Sequence, residues 1–155
     1  MPSSDELRTL IGDLVSLSHR LTRLAATATG SAESPAVWRT LSVLRDHGPL
    51  RLGELARASR VSQPTMTKLV QTLAERDWIR RIADRDDARA WLISADARGL
   101  RALDDWRDEL AGELAPRFAD LAPDEVAALV RSTELIRERL ERADADAERS
   151  TGAVA

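Results

Sequence analysis

The chain has 155 residues, a formal net charge of −3 and 43% apolar residues, enough for one domain with a real core, and its acidic start lacks the basic region of a secretion signal. It holds no cysteine, which excludes disulfides, thiolate metal sites, cysteine nucleophiles and thiol redox sensing. Tyrosine is absent and phenylalanine occurs once, so helix formers outweigh strand formers, and a mainly α, cytoplasmic protein without a membrane span is expected.

Ser3 followed by Glu6 is a capping-box pattern, and Leu7, Leu10, Ile11, Leu14, Leu17, Leu21 and Leu24 recur at helical spacing. A first helix from about Ser4 to Thr29 would be roughly 35 to 40 Å long, more than one small domain covers. TGSAESP breaks it. Ser34 and Pro35 then open a second helix carrying Val37, Trp38, Leu41 and Leu44, which stops at His47-Gly48-Pro49.

A short third helix is expected at about Leu52 to Ser59, followed by Ser62 as the cap of a fourth from about Gln63 to Arg76. Met66, Leu69, Val70 and Leu73 form one apolar stripe on that helix. Its other face reads Gln63, Thr65, Thr67, Lys68, Gln71 and Thr72, hydrogen-bonding groups unlike the Glu/Lys lacing of an ordinary solvated helix. DWIRRIA and RAWLIS are the only runs that read as strands, and they make Asp84 to Arg89 a hairpin tip. Ser94 is expected to cap a fifth helix, with Asp96 in its first turn, that Pro116 kinks or ends near Phe118. LAPDEV opens a sixth with the stripe Val126, Leu129, Val130, Ile136 and Leu140. The tail, residues 143–155, is expected to be disordered for want of apolar content.

Short helix, turn, polar-faced helix and hairpin together make a winged helix-turn-helix. Its charge is uneven: residues 1–47 are neutral, 48–94 carry +3 and 95–155 carry −6. Only the segment expected to meet a phosphate backbone is basic. Gln63, Thr65, Thr67, Lys68 and Gln71 have the donors, acceptors and methyl groups that read base edges in a major groove, while Ser62 and the helix start, with Pro64 in its first turn, suit a phosphate.

The stretch RLGELARASRVSQPTMTKLVQTLAERDWIRR with DRDDARAWLIS resembles the MarR-type bacterial transcription regulators in its third helix, its recognition helix and its wing. The motif resemblance covers about residues 50 to 100, and the flanking helices agree in order and length. It implies the order α-α-β-α-α-β-wing-β-α-α and a homodimer held by long terminal helices. The organisation expected is a dimerisation helix and linker over 1–34, a DNA-binding region over 35–94 and dimerisation helices over 95–142. A partner subunit would then cover Leu7, Leu10, Ile11 and Leu14 as well as Val126, Leu129, Ile136 and Leu140. Carried onto this chain, Arg89 is the arginine that enters the minor groove, Asp87 the aspartate that orients basic neighbours by a salt bridge, and Arg85 a helper at the tip. Asp84 and Asp86 are left as solvated turn residues.

The chain departs from the family pattern at Asp77, where glycine is common before the first wing strand, at Ala88 in the wing, and at Ala122, where Ser or Thr usually caps the last helix. The family's effectors, often small aromatic or phenolic anions, make His19, Arg23, Trp38 and Trp106 a candidate lining, although the two tryptophans sit at apolar helical positions and read first as core. Two distant histidines and adjacent acid pairs do not build a catalytic or zinc site, so neither an enzyme nor a cofactor is expected. The function expected is a homodimeric repressor that binds double-stranded DNA at an inverted repeat and is released by a small ligand. The alternative is an architectural DNA binder without a ligand, or a winged-helix protein-interaction module.

Overall fold

The computed structural model describes residues 3–30, 33–87 and 89–152; Ala88, one of the departures noted above, lies outside them. The order is α1 (Ser4–Thr29), α2 (Pro35–His47), β1 (Leu50–Arg51), α3 (Leu52–Ala58), α4 (Gln63–Glu75), β2 (Ile79–Ala83), β3 (Trp91–Ala95), α5 (Ala97–Leu114), a 3₁₀ turn (Ala115–Phe118) and α6 (Pro123–Gly152). The chain divides into two compact units, residues 1–114 and 115–155. Among the described residues no helix is long and apolar enough to cross a membrane.

In the first unit α1 opens with the reciprocal cap that its sequence predicts. Ser3 N–H donates to the Glu6 carboxylate at 2.7 Å and Glu6 N–H to Ser3 Oγ at 3.2 Å; the Ser3 N–H, and then the Ser3 side chain, hold the Glu6 carboxyl below its usual range. Gly30, at φ 60°, ends the helix in the left-handed conformation that glycine adopts without strain. The core lies downstream, where Val37, Trp38, Leu41 and Leu44 of α2 meet Leu55 and Ala56 of α3, Met66, Val70 and Leu73 of α4, Ile79 and Ile93 of the sheet, and Leu103 of α5. Helical spacing put each α2 and α4 member on one face, and that face is the buried one.

The three strands lie in the order β1-β3-β2, all antiparallel, with Leu50 opposite Ile93 and Ile79 opposite Ala95. Ser94 pairs with Arg80 inside β3, which corrects its expected role as the cap of α5. Extending the ladder to Ala95 satisfies more backbone groups than starting the helix there would. Asp96 takes the capping position instead, its carboxylate accepting Arg98 N–H at 3.1 Å.

In the second unit Pro116 falls in the 3₁₀ turn that follows α5, and Pro123 opens α6. Ala122 has no side-chain cap to offer, but its N–H donates to the Glu125 carboxylate at 2.8 Å, one half of a capping box. Over residues 143–152 the expected disordered tail is corrected by α6, which continues to Gly152; residues 153–155 of that tail lie outside the described residues. ADADAER lacks large apolar residues but not helix formers, and extending an existing helix needs no new nucleus.

Candidate nucleic-acid interface

The recognition helix α4 is positioned by its two ends. At its start Ser62 Oγ accepts Thr65 N–H at 3.3 Å and lies 2.8 Å from the Thr65 hydroxyl. Pro64 occupies the first turn, where its missing N–H costs nothing. Gln63, Pro64, Thr65, Thr67, Lys68 and Gln71 are all exposed, and the stripe Met66, Val70, Leu73 behind them is buried. Thr67 is steadied by a bond from its hydroxyl to the Gln63 carbonyl at 3.0 Å, and Gln71 by one to Glu75 at 3.3 Å. Lys68 is the only lysine in the chain, and it makes no ion pair among the described residues.

The turn that sets α4 against α3 has a feature the sequence reading missed. Arg60 stands at φ 54°. Its N–H donates to the Arg57 carbonyl, and Val61 N–H donates to the Ala56 carbonyl, both at 3.1 Å. This is a Schellman motif with arginine where glycine is the usual residue. The same motif ends α4: Asp77, at φ 56°, donates to the Ala74 carbonyl and Trp78 to the Leu73 carbonyl. Asp77 stands where the family pattern has glycine, the residue that takes a positive φ without strain. Its carboxylate accepts from Arg98 at 2.8 Å, which joins the end of α4 to the start of α5. Gly99 completes the joint, because a Cβ there would stand 2.2 Å from the Trp78 carbonyl oxygen.

Trp78 also belongs to a stack of three indoles. Trp38 lies 4.9 Å from Trp106 and 5.7 Å from Trp78, ring centre to ring centre. The Arg76 guanidinium sits 5.2 Å above Trp78 and is ion-paired with Glu33. Of the candidate effector residues, Trp38 and Trp106 are therefore brought together inside the packing. Their indole N–H groups find no hydrogen-bond partner among the described residues. Arg23 instead lines a groove of 460 Å³ with Leu17, Arg20, Leu21, Leu24 and Thr27, all on α1, and His19 is exposed elsewhere on that helix.

The wing corrects the role assigned to Asp84. Asp87 accepts Arg89 N–H at 3.0 Å, an Asx turn, and its charge also acts on Arg51. The arginine-holding acid is Asp84, only 8% exposed, one of whose oxygens accepts from Arg51 Nε and a terminal guanidinium nitrogen at 2.8 and 2.6 Å. Its other oxygen accepts Asp86 N–H at 2.9 Å. The Asp86 N–H and then the Arg51 guanidinium hold the Asp84 carboxyl below its usual range, and Asp84 raises Arg51 in turn. Arg51 sits at the α3 end of β1, so the pair ties the root of the wing to the helix-turn-helix. Sequence spacing alone could not reveal a contact across 33 residues. Arg85 and Arg89 remain exposed and make no ion pair among the described residues.

A three-stranded sheet ending in a hairpin, packed on a helix-turn-helix with an exposed polar recognition face, defines a winged helix-turn-helix protein. The MarR family model matches residues 34–91. The chain belongs to the MarR family. It is similar to the HTH-type transcriptional repressor NicR of Pseudomonas putida, at 35% identity over 65 residues that cover 42% of this chain and 41% of that protein. The match thus spans well under half of that curated relative. A probable transcriptional regulator from Pseudomonas aeruginosa is 30% identical, with a TM-score of 0.50 over 85% of this chain and 95% of that one. A MarR family protein from Bacillus stearothermophilus, 18% identical, shares the fold with a TM-score of 0.64 over 91% of this chain and 99% of that one.

Proposed function

We propose that the protein is a sequence-specific DNA-binding transcriptional regulator, a homodimeric repressor released from a pseudo-palindromic operator by a small ligand. The observation that carries this reading is the pairing, within one packed unit, of an exposed polar α4 face with exposed wing arginines, Arg85 and Arg89, that make no ion pair among the described residues. Gln63, Thr65, Thr67, Lys68 and Gln71 read the major groove, Ser62 and the start of α4 hold a phosphate, and Arg89 with Arg85 enters the minor groove. Asp87 shapes the wing through its turn, and the Arg51–Asp84 pair braces it. The likeness to a transcriptional repressor supports the sign of regulation.

Two unpartnered apolar stripes support the homodimer. Leu7, Leu10 and Ile11 of α1 are about half exposed, with Leu14 beside them, and so are Val126, Leu129, Ile136 and Leu140 of α6. Large apolar side chains exposed in rows mark a surface that a second subunit covers. For the effector, Arg23 in its groove suits a small aromatic anion; Trp38 and Trp106, stacked in the packing, and His19, elsewhere on α1, do not line that groove. The site of action is cytoplasmic DNA.

Titration of a duplex carrying the operator, at several salt concentrations, tests the assignment. Arg89→Ala weakens binding by about 1–3 kcal/mol and lowers the salt slope by about one, as loss of a single phosphate-region charge requires. Unchanged affinity and slope would remove Arg89 from the interface.

A further inference from the structure

Three of the four tryptophans stack on one another, but the fourth, Trp91, is 61% exposed at the start of β3. Indoles are seldom left in water, because burying one recovers more apolar area than burying almost any other side chain. The register explains where this one stands. Trp91 pairs with Ala83, Ile93 with Arg81 and Ala95 with Ile79, so all six side chains share one face of the sheet. Ile79 and Ile93 on that face are buried in the core. Trp91 continues the same face past the end of the core toward the wing tip, opposite an alanine too small to cover it.

The surroundings of Trp91 are cationic. Arg81 shares its face of the sheet, and Arg85 and Arg89 lie in the adjoining hairpin loop; all three are exposed and make no ion pair among the described residues. Of the three aspartates in the hairpin, Asp84 is neutralised by Arg51, while Asp86 and Asp87 stay exposed at the tip. An uncovered indole among unpaired guanidinium groups fits a polyanion that also presents apolar edges. Deoxyribose rings between phosphates have that chemistry.

We propose that Trp91 is a DNA contact of the wing, its indole lying against the deoxyribose edges of the minor groove beside Arg89. This rests on the DNA-binding reading above and adds to it a component that is apolar and insensitive to salt. The arginines contribute through counterion release and weaken as salt rises, whereas the indole contributes through desolvated area and does not.

The test is a titration of wild type, Trp91→Ala, Trp91→Phe and Arg89→Ala against one duplex at several salt concentrations. Urea midpoints serve as the folding control. Trp91→Ala is expected to bind about tenfold more weakly at every salt, with the wild-type slope, and Trp91→Phe to recover part of the loss. Arg89→Ala is expected to change the slope. Wild-type affinity in Trp91→Ala, or a slope lowered in step with affinity, would overturn the proposal. So would unaltered DNA binding with altered sedimentation, which would place Trp91 in a contact between protein chains. Absence of DNA binding by the wild type would instead overturn the DNA-binding reading itself.

Discussion

Gly99→Ala isolates the joint between the recognition helix and α5. The added Cβ would stand 2.2 Å from the Trp78 carbonyl oxygen, whereas ordinary contact begins at 3.4 Å. The start of α5 must therefore retreat by about 1 Å, and the obstacle is backbone, which cannot swing aside as a side chain would. The same carbonyl accepts Asp96 N–H at 2.9 Å, so the retreat also stretches that bond, a loss of about 1 kcal/mol. Overpacking adds about 1–3 kcal/mol, and the better helix propensity of alanine returns about 1 kcal/mol. The net expectation is a destabilisation of about 1–3 kcal/mol in urea unfolding. Gly112→Ala, in the same helix with nothing within 4 Å of its Cβ, supplies the control and should stabilise by about 0.5–1 kcal/mol. Equal stabilisation by both substitutions would refute the close approach.

Two further substitutions probe the turn and the wing root. Arg60→Gly relieves a left-handed backbone at φ 54° and should raise stability by about 1 kcal/mol in the same assay; a loss would show that the arginine side chain holds the turn. Asp84 has a folded-state pKa below its unfolded one, so its contribution is present above the unfolded carboxylate value of about 4 and is lost as pH falls through the folded value. Asp84→Asn should therefore be less stable than wild type at pH 7, with the gap closing in acid. A gap that persists unchanged at low pH would mean that the Arg51 interaction does not depend on the carboxylate charge.

Much of this architecture was legible because periodicity records burial directly. Met66, Val70 and Leu73 had to face a core together, and the exposed set from Gln63 to Gln71 follows from that. The strands were legible in the clustering of Trp78, Ile79 and Ile82, and of Trp91, Leu92 and Ile93. What stayed hidden was contact between residues distant in sequence and backbone sign at non-glycine positions. Arg51 reaches Asp84 only because β1 and the wing root share a sheet, and no spacing in the sequence marks Asp84 off from the solvated turn residues beside it. Arg60 carries no mark of its positive φ, whereas Asp77 was flagged because glycine was the expected residue there. Ser94 and the tail erred for local reasons: a hydroxyl suggested a cap where a ladder pair won, and low hydrophobicity hid a strong helix former.

The most direct test of the central claim is the affinity of the protein for DNA from immediately upstream of its own coding sequence, against an unrelated duplex of equal length at the same salt. The account predicts a preference of at least about a thousandfold, two protomers per site centred on an inverted repeat, and a steep fall in affinity with salt. Equal affinity for both duplexes, or none for either, would contradict it.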